Sequence, residues 1–132
     1  MMLVSQLAVG AFFAILFLQS GIDKVTDRKG NLDWMTPHFA QSPLKSQVGL
    51  LLSIITLFEL ASGAACAISL ITLLTKGPIL VFQVANLLVC ATLLQLFLGQ
   101  RLAKDYPGAA SLAGYFVVSL LGLGLSIGFE YY

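Results

Sequence analysis

Charged residues are scarce in this sequence. Only 10% of its 132 residues are Asp, Glu, Lys or Arg, while 58% are hydrophobic, and a soluble domain typically contains about 25% charged residues. So little charge cannot cover a water-exposed surface, and a net charge of +1 gives no basis for binding nucleic acid. The composition therefore excludes a soluble domain and a nucleic-acid-binding protein, and it indicates a protein surrounded by membrane lipids.

Residues that hold metals and redox cofactors are equally few. The single histidine, His38, has no second metal ligand at a recognised spacing, and the sequence contains no haem, zinc, dinucleotide or phosphate-loop motif. We therefore expect no metal site and no redox cofactor bound by this chain alone. His38 is interpreted as a solvated loop residue, with a pH-sensitive interfacial contact as the alternative.

Two cysteines, Cys66 and Cys90, lie inside long apolar runs. They are about equally far from the turn between these runs, so a redox pair at one depth in the membrane is one interpretation. A thiol in hydrocarbon is neutral and unreactive, however, and packs as a small apolar residue. The sequence favours packing for both cysteines over thiol-based electron transfer.

Four apolar runs occupy nearly the whole chain, and each is long enough to cross about 30 Å of hydrocarbon, which needs about 20 helical residues. No Lys or Arg precedes the first run and no small-residue cleavage pattern follows it, so we expect a retained helix. The sequence Lys76-Gly77-Pro78 predicts a tight turn between the second and third runs. We predict one all-α domain, an integral membrane four-helix bundle with spans at about residues 3–22, 47–75, 79–98 and 109–129.

The connection between the first and second runs, residues 23–46, is the only sizeable polar segment. It combines charges with Trp34, Met35 and Phe39, and amphipathic aromatic rings favour the headgroup level of a membrane. The pattern predicts a short interfacial segment between helices one and two.

The basic residues are distributed unequally between the two sides of the predicted bundle. Only Lys76 lies at the second connection, while the first and third connections carry Lys24, Arg28, Lys29, Lys45, Arg101 and Lys104. Because Lys and Arg accumulate in cytoplasmic loops, we predict that the first and third connections are cytoplasmic and both termini lie outside. The expected location is a cell membrane, crossed several times, with the bacterial inner membrane favoured.

Glu59 is the most informative single residue, because it lies near the middle of the second span. An acid at that depth costs several kcal/mol unless it is paired or hydrated, so we expect it to face the bundle interior. Counting from the turn places Gln95 of the third span at about the same depth, which predicts a Glu59–Gln95 hydrogen bond. Glu59 is either a proton-handling or quinone-contacting acid, or a structural acid that holds helices together.

Small and polar residues recur at spacings of three and four along the second and fourth spans, and Gly124 with Gly128 forms a G-x-x-x-G pair. Packing within the bundle is favoured over a dimer interface. Gln83 and Asn86 on the third span are interpreted as interhelical hydrogen bonders rather than ligands. A set of boundary charges could form an ionic cluster or lipid-headgroup site, although ordinary boundary charge is favoured: Asp23, Lys24, Arg101, Lys104 and Asp105.

Three short segments resemble the DoxX family: Gly21-Ile22-Asp23-Lys24-Val25, Glu59-Leu60-Ala61-Ser62-Gly63 and Lys104-Asp105-Tyr106-Pro107-Gly108. The likeness covers most of the chain in layout. It implies a four-helix membrane protein associated with membrane redox chemistry, either as a small subunit of quinol oxidases or thiosulfate:quinone oxidoreductases or as a companion of other oxidoreductases and stress-defence enzymes. Lys24, Glu59 and Asp105 match the polar positions of the family pattern.

We therefore expect a non-catalytic accessory subunit of a respiratory or other quinone-linked redox complex, with membrane lipids and other membrane subunits as partners. Its candidate quinone or lipid contacts are Glu59, Gln95, Trp34, Lys24 and Asp105, and Glu59 is the candidate for proton handling. The alternative is a homo-oligomeric carrier or channel for a proton or small solute, lined by Glu59, Gln83, Asn86 and Gln95. The sequence has no inverted repeat and no broken helix within a span, which argues against a carrier.

Overall fold

The computed structural model describes residues 1–127, and within them the ordered elements are all helices. They are α1 (Met2–Thr26), α2 (Arg28–His38), α3 (Val48–Leu74), α4 (Ile79–Leu102) and α5 (Tyr106–Ile127). The four helices other than α2 are long and apolar enough to cross a membrane. The prediction of an all-α membrane bundle is confirmed, and the chain is a multi-pass membrane protein. Residues 128–129 of the predicted fourth span, and with them Gly128, lie outside the described residues.

The helices extend beyond the predicted spans at the charged end of the bundle. Helix α1 continues to Thr26 rather than ending at residue 22, α4 continues to Leu102, and α5 begins at Tyr106. Hydropathy marks the edge of the hydrocarbon, whereas a helix ends where its backbone groups find other partners. The extension of α1 carries Lys24 into helical geometry.

Two Asp-x-x-Gly sequences start helices at this end. The Asp27 carboxylate accepts the Gly30 N–H at 3.2 Å and begins α2, and the Asp105 carboxylate accepts the Gly108 N–H at 2.9 Å and begins α5. Both bonds satisfy an amide of the first helical turn that has no partner within the helix. Asp105 therefore has a structural role in addition to any role in a site.

The turn between α3 and α4 agrees with its sequence. Helix α3 ends at Leu74, α4 begins at Ile79, and Lys76 has a left-handed φ of 56°. Pro78 has an extended backbone and precedes the first helical residue of α4. The predicted tight turn at Lys76-Gly77-Pro78 is confirmed.

The four long helices pack as a closed ring in the order α1, α3, α4, α5, with α5 returning to α1. The interior contains Phe13 and Phe17 of α1, Cys66 of α3, and Val89 and Leu93 of α4. Helix α1 makes its most extensive contacts with α3. This pair of helices forms the tightest seam of the bundle.

Glycine allows that close approach between α1 and α3. A Cβ added at Gly63 would lie 2.8 Å from the backbone nitrogen of Leu18, and one added at Gly21 would lie 2.7 Å from Cδ2 of Leu60. Ser62, Cys66 and Ser69 of α3 are also buried. These small residues of α3 therefore pack within the bundle, as the sequence favoured, whereas Gly49 and Ser53 near the start of the helix are exposed.

A second apolar cluster attaches α2 to the bundle. Met35 at the end of α2 and Phe39 in the following loop pack with Val48 and Leu52 at the start of α3. The Arg28 guanidinium also donates to the Gly49 carbonyl oxygen at 3.1 Å and to Ser53 Oγ at 3.0 Å. The predicted segment between helices one and two is thus a short helix held against α3.

Candidate functional site

Glu59 forms an ion pair with Lys24 across the α1–α3 seam. Lys24 Nζ lies 3.2 Å from each carboxylate oxygen of Glu59 and donates to Ser20 Oγ at 2.8 Å. The Glu59 side chain is 2% exposed and that of Lys24 is 17% exposed. A buried carboxylate within a membrane span needs a counter-charge, and the extension of α1 supplies it.

The predicted Glu59–Gln95 hydrogen bond is wrong. The partner of Glu59 is Lys24, and within residues 1–127 the buried Gln95 Oε1 has no hydrogen-bond partner. Depth counting compares heights along two helices, but it does not say which way each side chain points. It is Ser62, not Glu59, that faces α4, where its hydroxyl lies 2.8 Å from Thr92 Oγ1.

A cavity of about 430 Å³ lies between α2, the first half of α3 and the last turns of α4. Its walls are mainly apolar and include Met35, Phe39, Leu51, Ile54, Ile55, Leu96 and Leu98. Its polar lining comes from five side chains, Lys24, Asn31, His38, Gln95 and Gln100. An apolar pocket with a few convergent polar groups is the usual form of a small-molecule site.

Trp34 and His38 form an aromatic wall of the cavity. The Trp34 ring stacks on the His38 ring with centroids 4.4 Å apart, and His38 contacts Phe39 edge-on at 5.1 Å. Trp34 remains 58% exposed. A tryptophan with one buried face and one exposed face is typical of a membrane-interface position.

His38 is not a solvated loop residue, so that interpretation is wrong. It is the last residue of α2, and its side chain is 15% exposed. Its Nε2 lies 2.6 Å from Gln100 Oε1 and 3.7 Å from Asp105 Oδ2. Because the amide oxygen can only accept, Nε2 carries the hydrogen and donates it. His38 thus joins the end of α2 to α4 by a hydrogen bond, and its ring lies near the carboxylate of Asp105, which precedes α5.

The structure brings the five candidate contact residues to one region. Lys24, Trp34 and Gln95 line the cavity. Of the other two, Glu59 is paired with Lys24, and Asp105 lies near His38. Sequence reasoning missed Ser20, Asn31 and Gln100; only the spacing of Ser20 from Lys24, one helical turn, could have indicated a contact.

The ionic cluster, which was the alternative interpretation of the boundary charges, does not form within residues 1–127. Lys24 pairs with Glu59, and Asp105 lies near His38. The Arg101 guanidinium lies over the Tyr106 ring, 4.4 Å from its centroid. These residues are ordered by separate contacts, as ordinary boundary charges would be.

Polar residues are also buried in the opposite half of the bundle. Gln6 Nε2 donates to the Leu125 carbonyl oxygen at 3.2 Å. Asn86 Nδ2 donates at 2.8 Å to the carbonyl oxygen of Phe82 in its own helix, which corrects the prediction that Asn86 bonds between helices. Within the described part of the chain, the amide oxygens of Gln6 and Asn86 have no partner.

The two cysteines have separate surroundings. Cys66 is free and buried in the core. Cys90 is also free, and its thiol lies 3.3 Å from Ser119 Oγ on α5. These contacts are packing contacts between helices.

The described residues contain no group of three or more His, Cys, Asp or Glu side chains that could hold a metal ion. Comparisons of this chain with known protein families, with curated proteins and with solved structures find no match. The resemblance to the DoxX family therefore stays a prediction from the three sequence segments.

Proposed function

We propose that this chain is a DoxX-like accessory subunit of a quinone-linked membrane redox complex and that the cavity under α2 holds the head group of a membrane amphiphile, a quinone or a lipid. The observation that carries the proposal is the cavity itself. It combines apolar walls with five polar side chains at the end of the bundle where the charged connections lie. Pockets of roughly 300–1,000 Å³ with this lining are suited to small organic ligands.

The cavity has an apolar way out. Ile54 of α3 and Leu98 of α4 line it, and they are 40% and 58% exposed. An exposed apolar surface on a spanning helix faces lipid tails. A hydrocarbon tail could therefore pass between these side chains into the bilayer while its head group occupies the cavity.

The Lys24–Glu59 ion pair fixes the position of one polar side chain of the cavity wall, that of Lys24. Lys24 lines the cavity, and its ammonium group is already held by Glu59 and Ser20. The pair joins the last turn of α1 to the middle of α3 and holds the Glu59 carboxylate next to a residue that lines the cavity. Electron transfer would come from partner subunits, whose presence is inferred from the resemblance alone.

Trp34 offers a direct test because it is the only tryptophan and it lines the cavity. Purified protein in lipid nanodiscs should show saturable quenching of tryptophan fluorescence when it is titrated with a short-chain benzoquinone. Gly99→Leu should abolish the saturable part, because Gly99 lines the cavity and an added Cβ there meets only Phe39, at 3.7 Å.

The matched control is Gly114→Leu on α5, where an added Cβ meets nothing within 4 Å. Its tryptophan fluorescence should be quenched saturably, as in the wild type. Linear, unsaturable quenching that is identical in all three proteins would contradict binding in the cavity.

The accessory role has its own test. Purification through an affinity tag in mild detergent should recover haem- or flavin-containing proteins, seen by mass spectrometry and by visible absorption. A colourless, self-associated species with no other chain would favour the homo-oligomeric carrier instead.

We also propose that the cavity faces the cytoplasm of a bacterial inner membrane, because six of the seven basic residues lie at that end. A membrane-impermeant thiol reagent added to intact spheroplasts should label Lys76→Cys, and it should label Lys45→Cys only after lysis. The reverse pattern would overturn this orientation.

A further inference from the structure

Gln19 is an exposed polar side chain within a membrane-spanning helix. It belongs to α1 and lies on the outer surface of the bundle. Within residues 1–127 its amide forms no hydrogen bond. An amide that faces hydrocarbon without a hydrogen-bond partner is unfavourable. Gln19 therefore needs a partner from outside the described part of the chain.

The position of Gln19 along α1 keeps its amide away from the charged connections. It lies five residues before Lys24, which at 1.5 Å per residue places it about 7.5 Å further from the charged end. Lys24 itself reaches inward to the buried carboxylate of Glu59. Side chains of a helix also lean towards its N-terminus, which here is the opposite end of the bundle. The Gln19 amide is therefore surrounded by lipid tails unless another protein covers it.

The other exposed uncharged side chains that bear a hydroxyl or amide group in α1, α3, α4 and the described part of α5 differ from Gln19, apart from Tyr106 at the start of α5. Each donates to a carbonyl oxygen three or four residues earlier in its own helix: Ser5, Thr26, Ser53 and Ser111. Such a bond satisfies a hydroxyl group without any outside partner. Gln19 is the exception.

Gln19 lies in a groove of about 280 Å³ on the outer surface between α1 and α5. The other residues that line the groove are Phe12, Ile15, Leu16 and Tyr115. Phe12, Ile15, Gln19 and Ile22 are all exposed and follow one another at spacings of three and four. One polar residue in an apolar row of this spacing is typical of a helix seam whose register is set by a polar pair.

We propose that two copies of this chain associate through this face of α1, and that Gln19 of each copy exchanges hydrogen bonds with Gln19 of the other. Copies with the same orientation can be related by a two-fold axis along the membrane normal, which brings the same residue of each α1 to the same depth. An amide both donates and accepts, so a glutamine can pair with its own copy. A second copy therefore presents a suitable polar group at the depth of Gln19.

The proposed interface is separate from the cavity under α2. The helices form a ring in the order α1, α3, α4, α5, so the α1–α5 groove lies opposite the α3–α4 side, where the cavity is. Association through α1 leaves the cavity of each copy open. The inference therefore does not rest on the proposed ligand of the cavity.

The test measures energy transfer between donor- and acceptor-labelled copies of the full chain in liposomes. The label is attached to Lys76→Cys, an exposed position in the turn, and the unsubstituted chain treated in parallel corrects for any label on Cys66 or Cys90. Dilution with lipid should follow a monomer–dimer curve. Gln19→Leu should raise the dissociation constant about tenfold, the loss of two polar contacts between membrane helices. Leu87→Met, on the outer face of α4, should leave it unchanged.

Disulfide formation tests the position of the interface. Ile15→Cys lies one helical turn from Gln19 and should give a covalent dimer when membranes are oxidised with copper phenanthroline. Leu87→Cys is the matched control, because Leu87 is 58% exposed and Ile15 is 72% exposed, yet Leu87 lies on a different helix. It should give little dimer, and the unsubstituted chain supplies the background.

Three results would overturn the inference. Energy transfer no greater than that of random proximity at every lipid dilution would show that the chain is a monomer and that another molecule meets Gln19. Equal dissociation constants for the wild type and Gln19→Leu would refute the role of Gln19. Equal disulfide formation at Ile15→Cys and Leu87→Cys would refute the α1 interface. The benzoquinone titration tests the cavity independently of all three.

Discussion

The two halves of the bundle bury polar groups in different ways. At the cavity end, Glu59 is paired with Lys24, and Ser62 bonds to Thr92 across α3 and α4. Neutral amide oxygens without partners are buried at both ends in the described part of the chain, those of Gln6 and Asn86 at the turn end and that of Gln95 at the cavity end. The turn end, however, has no comparable buried ion pair among the described residues. Charge explains the difference, because an unpaired ion in hydrocarbon is far less stable than an unpaired neutral amide oxygen.

The two ends of the bundle are therefore stabilised by different kinds of contact. The cavity end depends on specific pairs, so its side chains have fixed positions around a space. The turn end is held by close packing and by amides that bond to backbone carbonyl oxygens. A ligand site needs fixed polar positions, which is why the cavity end is the better candidate. Substitutions that alter one end at a time can test this contrast.

The largest expected effect comes from Glu59→Met. It removes one partner of a buried pair and leaves the Lys24 ammonium, 17% exposed, without its counter-charge. We expect a loss of about 3 kcal/mol in the free energy of unfolding, the lower end of the range for breaking a buried pair, because Lys24 retains some contact with water. The measurement is unfolding in mixed micelles of increasing SDS content.

The double variant Lys24→Met/Glu59→Met is the control for this prediction. It replaces both ions by side chains of similar length, so most of the lost stability should return. If the single and double variants are equally unstable, packing around Glu59 matters more than its charge, and the contrast between the two ends fails.

The next largest effect is expected at the α1–α3 seam. Gly63→Ala places a Cβ 2.8 Å from the Leu18 backbone nitrogen, and a backbone atom cannot move aside as a flexible side chain does. We expect a loss of about 2 kcal/mol in the same SDS titration, as for other overpacked interiors. This substitution should also lower the affinity of the benzoquinone probe, because it separates the helix that carries Lys24 from α3.

Gly114→Ala provides the comparison for the seam. An alanine there meets no atom within 4 Å, and alanine stabilises a helix by about 1 kcal/mol relative to glycine. The variant should be as stable as the wild type or more so. Equal losses in Gly63→Ala and Gly114→Ala would show that the approach of α1 to α3 does not depend on Gly63.

The smallest effect is expected from Gln6→Met at the turn end. Gln6→Met is matched to Glu59→Met, because the glutamine and glutamate side chains have the same length and both substitutions remove a buried polar group. It gives up one hydrogen bond to the Leu125 carbonyl oxygen but also removes an amide oxygen that has no partner in residues 1–127. The net change should be less than about 0.6 kcal/mol, an average value for a polar contact between membrane helices, measured in the same titration.

A loss at Gln6→Met as large as that at Glu59→Met would mean that the turn end also depends on a specific polar network. Gln6 would then need a partner beyond those that the described residues provide. The contrast between the two ends would disappear, and the turn end would become a second candidate for a functional site.

The sequence predicted several residues of the candidate site but not the contacts between them. Hydropathy found the spans, and the cost of a buried acid singled out Glu59 and required it to face inward. It does not identify Lys24 as the partner, because the apolar run ends at residue 22 and hydropathy therefore places Lys24 in a connection rather than in the helix. Once α1 is seen to reach Thr26, the spacing from Ser20 to Lys24 places both on one face.

For Gln95 the sequence predicted a partner that the structure does not show. Its depth was close to that of Glu59, yet the two side chains do not bond, because successive residues of a helix are rotated by about 100° and a small error in helix rotation changes which neighbour a side chain meets. Because helix rotation is not known from the sequence, the contact of His38 with Gln100 was not predicted either. That contact depends on how α2, an element outside the four spans, lies against α4.

The sequence by itself determined that this chain forms a multi-pass helical bundle, since the transfer of apolar side chains into lipid adds up along a run of about 20 residues and needs no knowledge of neighbours. It also determined the turn at Lys76-Gly77-Pro78, which rests on local backbone preferences. Only the tertiary structure decided that Glu59 meets Lys24, that Gln95 Oε1 is buried beside a cavity without a donor in the described residues, and that Trp34 lies on the cavity wall. Those outcomes depend on the rotation of each helix and on the packing of α2, which arise from contacts between residues far apart in the chain.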